Sequence, residues 1–194
     1  MSSVALSIDW VTDSELVERA RAGDAGAFGE LMTRHGQAAY RTALAALGSP
    51  ADAEEVTQES FVRAYAELAT FRGEATFRTW VSAIVWRRAL NRRRSVARRL
   101  RLFVQQAEAC AEPVASGPSA EAALLALERQ QLVAGLIRAL PKRLRDPLLM
   151  AAADEHSYSE LAVILGIPAG TLKWRISEAR RLLKRKLEQM GYPR

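Results

Sequence analysis

The chain has 194 residues, 49% of them hydrophobic, so one or two domains with sizeable cores are expected. Its net charge of +6 and pI of about 10.0 favour a polyanionic partner, although basic charge alone fits a membrane surface or simple solubility as well. No apolar run reaches the roughly 18 residues of a membrane span, and Cys110 is the only cysteine, which excludes an internal disulfide and a cysteine-based metal site.

Residues 1–11 read as a loose leader with no basic-then-apolar signal pattern. Thr12-Asp13-Ser14-Glu15 has the spacing of a capping box, and Leu16, Val17 and Ala20 give the short helix behind it an apolar face that Gly23 ends. A longer helix follows, with Phe28, Leu31, Tyr40, Leu44 and Leu47 mostly at helical spacings and Gly48 closing it. Ser49-Pro50-Ala51-Asp52 starts the next with a cap, a proline at the first position and an acid in the first turn. Val56, Phe61 and Leu68 supply its apolar positions, with Ala53, Ala64 and Tyr65 beside them. Asp52, Glu54, Glu55 and Glu59 make its first half acidic in an otherwise basic chain. Carboxylates that are solvated and complement the helix dipole explain this about as well as a protein-contact surface does.

The stretch from Phe71 to Trp80 reads as a loop feeding a helix, which runs from Thr79 to about Arg94 with Trp80, Ile84, Val85, Trp86 and Leu90. Its end is rich in arginine: Arg87, Arg88, Arg92, Arg93 and Arg94 around Asn91, then Arg98, Arg99 and Arg101. Aromatics interleaved with arginine suit single-stranded nucleic acid, since rings stack on bases and guanidiniums hold phosphates. The alternative is that Phe71, Phe77 and Trp80 are core and the arginines a solvated helix end, but solvation alone is a poor reason for so dense a run. From about Val96 to Ala120 the pattern dissolves, and Pro113, Ser116, Gly117, Pro118 and Ser119 mark a linker. A helix begins near Glu121 with Leu124, Leu125, Leu127, Leu132, Leu136 and Ile137, Pro141 interrupts it, and a further helix from about Arg145 to Ala153 carries Leu148, Leu149 and Met150.

The stretch from Ser157 to Leu182 reads as two helices joined by a tight turn. Ser157 and Glu160 form a second capping box, Leu161, Ala162 and Leu165 make an apolar face, Gly166 permits the left-handed turn, and Pro168 suits the first turn of the next helix. At about 100° per residue, Leu172, Ile176, Ala179 and Leu183 form one inward stripe. Trp174, Ser177 and Arg181 fall opposite, flanked by Lys173, Glu178 and Arg180. This is the sequence shape of a helix-turn-helix that reads the major groove, with a solvated amphipathic helix as the plainer alternative.

No alternating strand pattern of useful length occurs, so the fold class is all-α: two helical bundles joined by a flexible linker. The expected units are 12–95, the linker 96–120, and 121–194. No catalytic constellation is found. His35 and His156 sit in no metal-binding pattern, there is no phosphate loop or nucleophile elbow, and Cys110 has no companion histidine. Asp52, Glu55 and Glu59 share a helical face without a histidine at a suitable offset, so neither a metal, a cofactor nor a small-molecule substrate is expected.

With both basic modules in view, the chain resembles a bacterial sigma factor of the extracytoplasmic-function class. Asp52-Ala53-Glu54-Glu55-Val56-Thr57-Gln58-Glu59-Ser60-Phe61-Val62-Arg63-Ala64-Tyr65 is similar to the family's D-A-E-D-x-x-Q-E-x-F-x-x-A-[WY] segment. Phe71-Arg72-Gly73-Glu74 and Phe77-Arg78-Thr79-Trp80 are similar to its F-R-G-x and F-x-T-W elements, and Leu140-Pro141 followed by Tyr158 to Leu182 resembles its C-terminal signature. The resemblance covers nearly everything outside the leader and linker.

It implies a promoter-specificity subunit of RNA polymerase, not an enzyme itself; with no apolar run of membrane length and no signal pattern, a cytoplasmic location without membrane insertion is the default expectation. Asp52, Glu55, Gln58 and Glu59 would dock on the coiled coil of the polymerase β′ subunit. Phe71, Arg72, Phe77, Arg78, Trp80, Arg87, Arg88, Asn91 and Arg92 would open the minus-ten element and hold its non-template strand. Thr171, Lys173, Trp174, Arg175, Ser177, Glu178, Arg180 and Arg181 would engage the minus-thirty-five element, with the second bundle also touching the β flap and the linker following the RNA exit path. An anti-sigma factor is a further implied partner.

Two departures from the family pattern stand out. Val85-Trp86-Arg87 and Asn91 occupy positions where Ala-Arg-Asn and Asp are common, so Arg87 replaces an Asn able to make specific hydrogen bonds. Trp174 stands where small residues are usual and Glu178 where a basic one is common; a glutamate accepts from cytosine N4, so an unusual minus-thirty-five preference is expected. Two other classes remain open at this point. A stand-alone helix-turn-helix regulator leaves the 71–80 stretch and the acidic helix unexplained, and a nucleic-acid enzyme lacks its constellation.

Overall fold

A computed structural model describes residues 11–106, 131–153 and 155–192, which are helical throughout with no strand among them. The first half contains α1 (Asp13–Arg21), α2 (Ala25–Leu47), α3 (Pro50–Ala66), a short 3₁₀ turn (Leu68–Thr70) and α4 (Phe77–Gln106). The second contains α5 (131–139), α6 (Lys142–Ala152), α7 (Tyr158–Leu165) and α8 (Ala169–Gln189). The leader, most of the expected linker with Cys110, and the start of the helix expected near Glu121 lie outside the described residues.

The helix starts follow from side chains that satisfy orphan backbone N–H groups. Thr12 and Ser157 both close reciprocal capping boxes, with Glu15 and Glu160 reaching back to the cap. Asp24 and Ser49 cap α2 and α3, and Pro50 opens α3. Gly48 and Gly166 end α2 and α7 in the left-handed conformation, at φ 70 and 65, where a β-carbon would be strained.

Three boundaries differ from the sequence expectation. α4 starts at Phe77 and continues to Gln106 rather than ending near Arg94. Residues 95–106 contain neither Gly nor Pro and are mostly good helix formers, so nothing in the backbone stops the helix. The linker expected from 96 therefore begins inside α4. α6 starts at Lys142 rather than Arg145, because the Pro141 carbonyl accepts from Leu144 and Arg145 at 2.9 and 3.0 Å and sets the first turn there. Pro168 stands at the N-cap of α8 instead of in its first turn.

In the first half, α2 lies at the centre, packed by α1, α3 and α4. Leu31, Val56, Phe61, Val81 and Val85 are buried there, and the Phe28 ring meets the edges of Phe61, Tyr65 and Phe77. In the second half Leu172, Ile176 and Ala179 of α8 are buried against the α6 and α7 layer that carries Leu144, Leu148, Met150 and Leu161. Full burial of each large apolar side chain contributes roughly 1.5–3 kcal/mol, and the buried apolar residues of the two halves belong to one hydrophobic cluster. The halves also touch, α7 lying on α4 and α6 on α2.

Candidate nucleic-acid and partner interfaces

α3 buries Ala53, Val56, Ser60, Phe61 and Ala64 and turns its remaining face outward. Glu55, Gln58 and Glu59 are exposed on it, and so are Val62, at 73%, and Tyr65. Gln58, Val62 and Tyr65 recur at four and three residues, the spacing of one helical stripe. Val62 was not singled out in the sequence. It sits between the buried Phe61 and Arg63, and its exposure could have been found only by continuing the acidic face one turn further.

The acidic residues also have partners inside the molecule. Arg92 of α4 bonds Asp52 at 3.1 Å and Glu55 at 2.6 Å, and Arg88 pairs with Glu59. The Glu55 and Asp52 carboxylates hold the Arg92 guanidinium more firmly protonated than usual. Two arginines expected at DNA thus brace the acidic helix in this arrangement. These pairs are about half exposed and screened, so they orient α3 on α4 more than they stabilise it.

Phe71 and Phe77, at the two ends of the 71–77 stretch, cluster with Phe28 of α2 and Trp80 of α4. Phe77 is 1% exposed and surrounded by Phe28, His35, Phe71 and Trp80, which leaves it no face for a base. Phe71 and Trp80 are half-buried, with ring centroids 5.2 Å apart. Arg72, Arg87 and Asn91 are exposed. The loop is held from behind by Arg21, which donates to the carbonyls of Leu68 and Phe71.

On α8 the expected sorting of faces is seen: Leu172, Ile176 and Ala179 are buried, while Lys173, Trp174, Ser177, Arg180 and Arg181 are exposed, Trp174 at 58%. Thr171 is partly buried at the first turn, and Arg175 turns toward a groove shared with α4 and α6. Glu178 is engaged: Arg181 donates to both of its oxygens at 2.7 and 2.6 Å. That pairing, with a smaller push from Arg185, holds the Glu178 carboxyl below the usual carboxylate range. A cytosine amino group would have to compete with the guanidinium for this acceptor.

The tertiary structure adds a seam between the halves that no motif announced. Glu160 accepts from the buried Thr79 hydroxyl at 2.9 Å and from Arg78 at 3.2 Å, while still accepting from the Ser157 backbone and hydroxyl at 2.8 Å. Asp146 accepts from Arg93 at 2.9 Å, and Glu155 from Arg41 at 2.6 Å. A cavity of about 620 Å³ lies between the 71–77 loop and α7, lined by Phe71, Thr76, Glu160 and Val163 among others. Arg78, expected at DNA, is therefore occupied by an acid of the helix-turn-helix, and sequence showed Glu160 only in its capping role.

Burial works against ionisation of Glu160, but the Ser157 backbone and hydroxyl, Thr79 and Arg78 outweigh it and lower the pKa to about 2. A carboxyl depressed in the folded protein contributes stability that is present above its ordinary value near 4.5 and lost as pH falls toward 2. Glu160→Gln should reduce stability at neutral pH and flatten its decline over that acid window. Parallel urea titrations of both proteins at several pH values measure it, and the idea fails if the two pH profiles run parallel.

Among the described residues no cluster of His, Cys, Asp and Glu is arranged to hold a metal, and no helix is long and apolar enough to cross a membrane. Comparison with known proteins agrees with the two-part layout. Residues 31–99 match the family Sigma-70 region 2, and residues 130–183 match Sigma-70, region 4. The chain is 34% identical over 191 residues to the ECF RNA polymerase sigma-E factor of Salmonella typhimurium, covering 93% of this chain and 96% of that one. It is 33% identical over the same length to the Escherichia coli K12 protein of that name, with the same coverage. Among solved structures it is similar to CnrH in complex with the cytosolic domain of CnrY, at a TM-score of 0.64 and 27% identity, covering 91% of this chain and 97% of that one. The sigma factor RpoE of Bartonella quintana, solved with the anti-sigma factor NepR, shares the fold at a TM-score of 0.56 and 23% identity, covering 83% of this chain and 96% of that one. Two sigma-70 regions in the right order, each built around an exposed basic or acidic helix face, and relatives a third identical along nearly the whole length place this protein in the family of extracytoplasmic-function sigma factors, the promoter-recognition subunits of bacterial RNA polymerase.

Proposed function

We propose that the chain docks on core RNA polymerase through the outer face of α3 and reads promoters with two separate surfaces. Residues 12–95 act as the unit for core binding and the minus-ten element, and 121–194 as the unit for the minus-thirty-five element. Gln58, Glu59, Val62 and Tyr65 form the docking face, with Asp52 and Glu55 set by Arg92. Phe71, Arg72, Arg87 and Asn91 meet the minus-ten strand, joined by Arg78 and Trp80 once Glu160 has moved away. Lys173, Trp174, Ser177 and Arg180 meet the minus-thirty-five groove. The observation that carries this reading is the sorting of α8, whose apolar stripe is buried and whose polar and aromatic face is open to solvent. A helix of that kind fits the major groove.

The protein contributes recognition, and RNA synthesis stays with the core enzyme, so its place of work is the cytoplasm. Control by an anti-sigma factor belongs to the same reading, since the similar structures of CnrH and of the Bartonella quintana sigma factor each hold a bound partner protein. The test is reconstitution: purified chain added to core RNA polymerase should start transcripts at fixed promoter positions. A stand-alone regulator would bind the same DNA yet leave core polymerase unable to initiate, and that outcome would refute the assignment.

A further inference from the structure

His156 lies in the turn between α6 and α7, where the two halves of the molecule meet. Its sequence neighbour Glu155 reaches Arg41 of α2, and Glu160, one turn on, reaches Arg78 and Thr79 of α4. Both ring nitrogens of His156 are shut off from solvent, and among the described residues neither has a hydrogen-bond partner. An imidazole that donates and accepts nothing is tolerated only while neutral, because the imidazolium has two donors to satisfy. Its charged surroundings are mixed. Arg78 opposes protonation from α4, Glu160 on α7 and Glu155 in its own turn favour it, and Arg41 of α2 is already spent on Glu155. Asp154 lies outside the described residues.

We propose that His156 is the acid release of a latch between the halves: closed while the ring is neutral, the seam opens when the ring is protonated, freeing Arg78 and widening the cleft between the 71–77 loop and α7. Burial, reinforced by Arg78, holds the His156 pKa below the ordinary imidazole value in the closed state. In the open state the ring is solvated and returns toward about 6.5. Closure is therefore undisturbed above that value and weakens as pH falls below it, down to the closed-state pKa. Within this window the open-to-closed ratio rises by up to about tenfold per pH unit, the limit for uptake of one proton. Glu160, at about 2, stays ionised throughout and keeps its hold on Arg78 and Thr79 until the histidine drives the halves apart.

The test follows the distance between the halves without DNA or polymerase, so its outcome is independent of the promoter-binding assignment. The full chain, with Cys110→Ser, Gln37→Cys and Gln189→Cys, is labelled with a donor–acceptor pair, and energy transfer is recorded from pH 8 to pH 5.5. Transfer should fall below about pH 6.5 and recover on return to pH 8. His156→Leu, which fills the enclosure without titrating, should hold transfer constant across the range. His156→Lys should give low transfer already at pH 8 while circular dichroism stays helical. Constant transfer in the parent protein, or a parallel fall in the parent and His156→Leu, which would place the titration at His35 or a carboxylate, overturns the latch.

Discussion

Gln58→Lys combined with Val62→Lys should weaken binding to core polymerase by roughly 30-fold or more, with no change in helix content or unfolding midpoint. Both side chains are exposed, so neither change opens a cavity or removes a cap. A large apolar side chain 73% exposed on an acidic helix, with Tyr65 one turn away, has the make-up of a contact patch in waiting. Loss of an interface anchor typically costs about 2 kcal/mol, which corresponds to that factor. Competition against a second sigma factor for a limiting amount of core measures the effect. Reversing charge at Glu55 is a less clean experiment, because Glu55→Lys also sets two cations face to face across the α3–α4 contact with Arg92. Gln58→Lys/Val62→Lys protein that competes as well as the parent would show that α3 docks on nothing there.

The second expected result separates two kinds of failure on α8. Arg180→Ala should lower affinity for all promoters alike and flatten the salt dependence by roughly one unit, as loss of a single phosphate contact does. Trp174→Ala should leave the salt slope unchanged and alter which minus-thirty-five sequence is preferred. Good base contacts amount to about 1–3 kcal/mol of discrimination, or roughly 5- to 150-fold between sequences. The exposed indole of Trp174 is the largest apolar surface on the outward face of α8 and is suited to thymine methyl groups. Glu178 takes a lesser part than its position in the sequence suggests, since Arg181 holds both of its oxygens. Selection from a randomised minus-thirty-five library decides the matter: if Trp174→Ala recovers the parental consensus, the ring does not read bases and its exposure calls for a protein contact.

Several elements were legible because their cause is local. The capping boxes at Thr12 and Ser157, the proline start at Pro50 and the glycine ends at Gly48 and Gly166 each depend on a few adjacent residues, and each is found where the pattern places it. The burial of Leu172, Ile176 and Ala179 needed only the helical repeat. The continuation of α4 past Arg94 was less legible, because a run of arginines looks like a helix end when charge is weighed above propensity. Phe77 was ambiguous for a related reason. An aromatic residue beside arginines serves a base or a core equally well in one dimension, and only the ring of Phe28, His35, Phe71 and Trp80 around it decides for the core.

The sequence by itself determined the helical class, the order of the two modules and the inward stripe of α8, because each follows from periodicity, capping chemistry or spacing along the chain; the family was legible only through the resemblance of its segments to known motifs. Only the tertiary structure decided what the charged residues do to one another. Arg92 and Arg88 face the acids of α3, and Arg78 and Thr79 face Glu160. These partners are 29 to 82 residues apart. Charge has no periodicity that would foretell such meetings. A guanidinium is equally at home on a phosphate, a carboxylate or in water, and which it takes is settled by the packing of α4 on α3 and of α7 on α4.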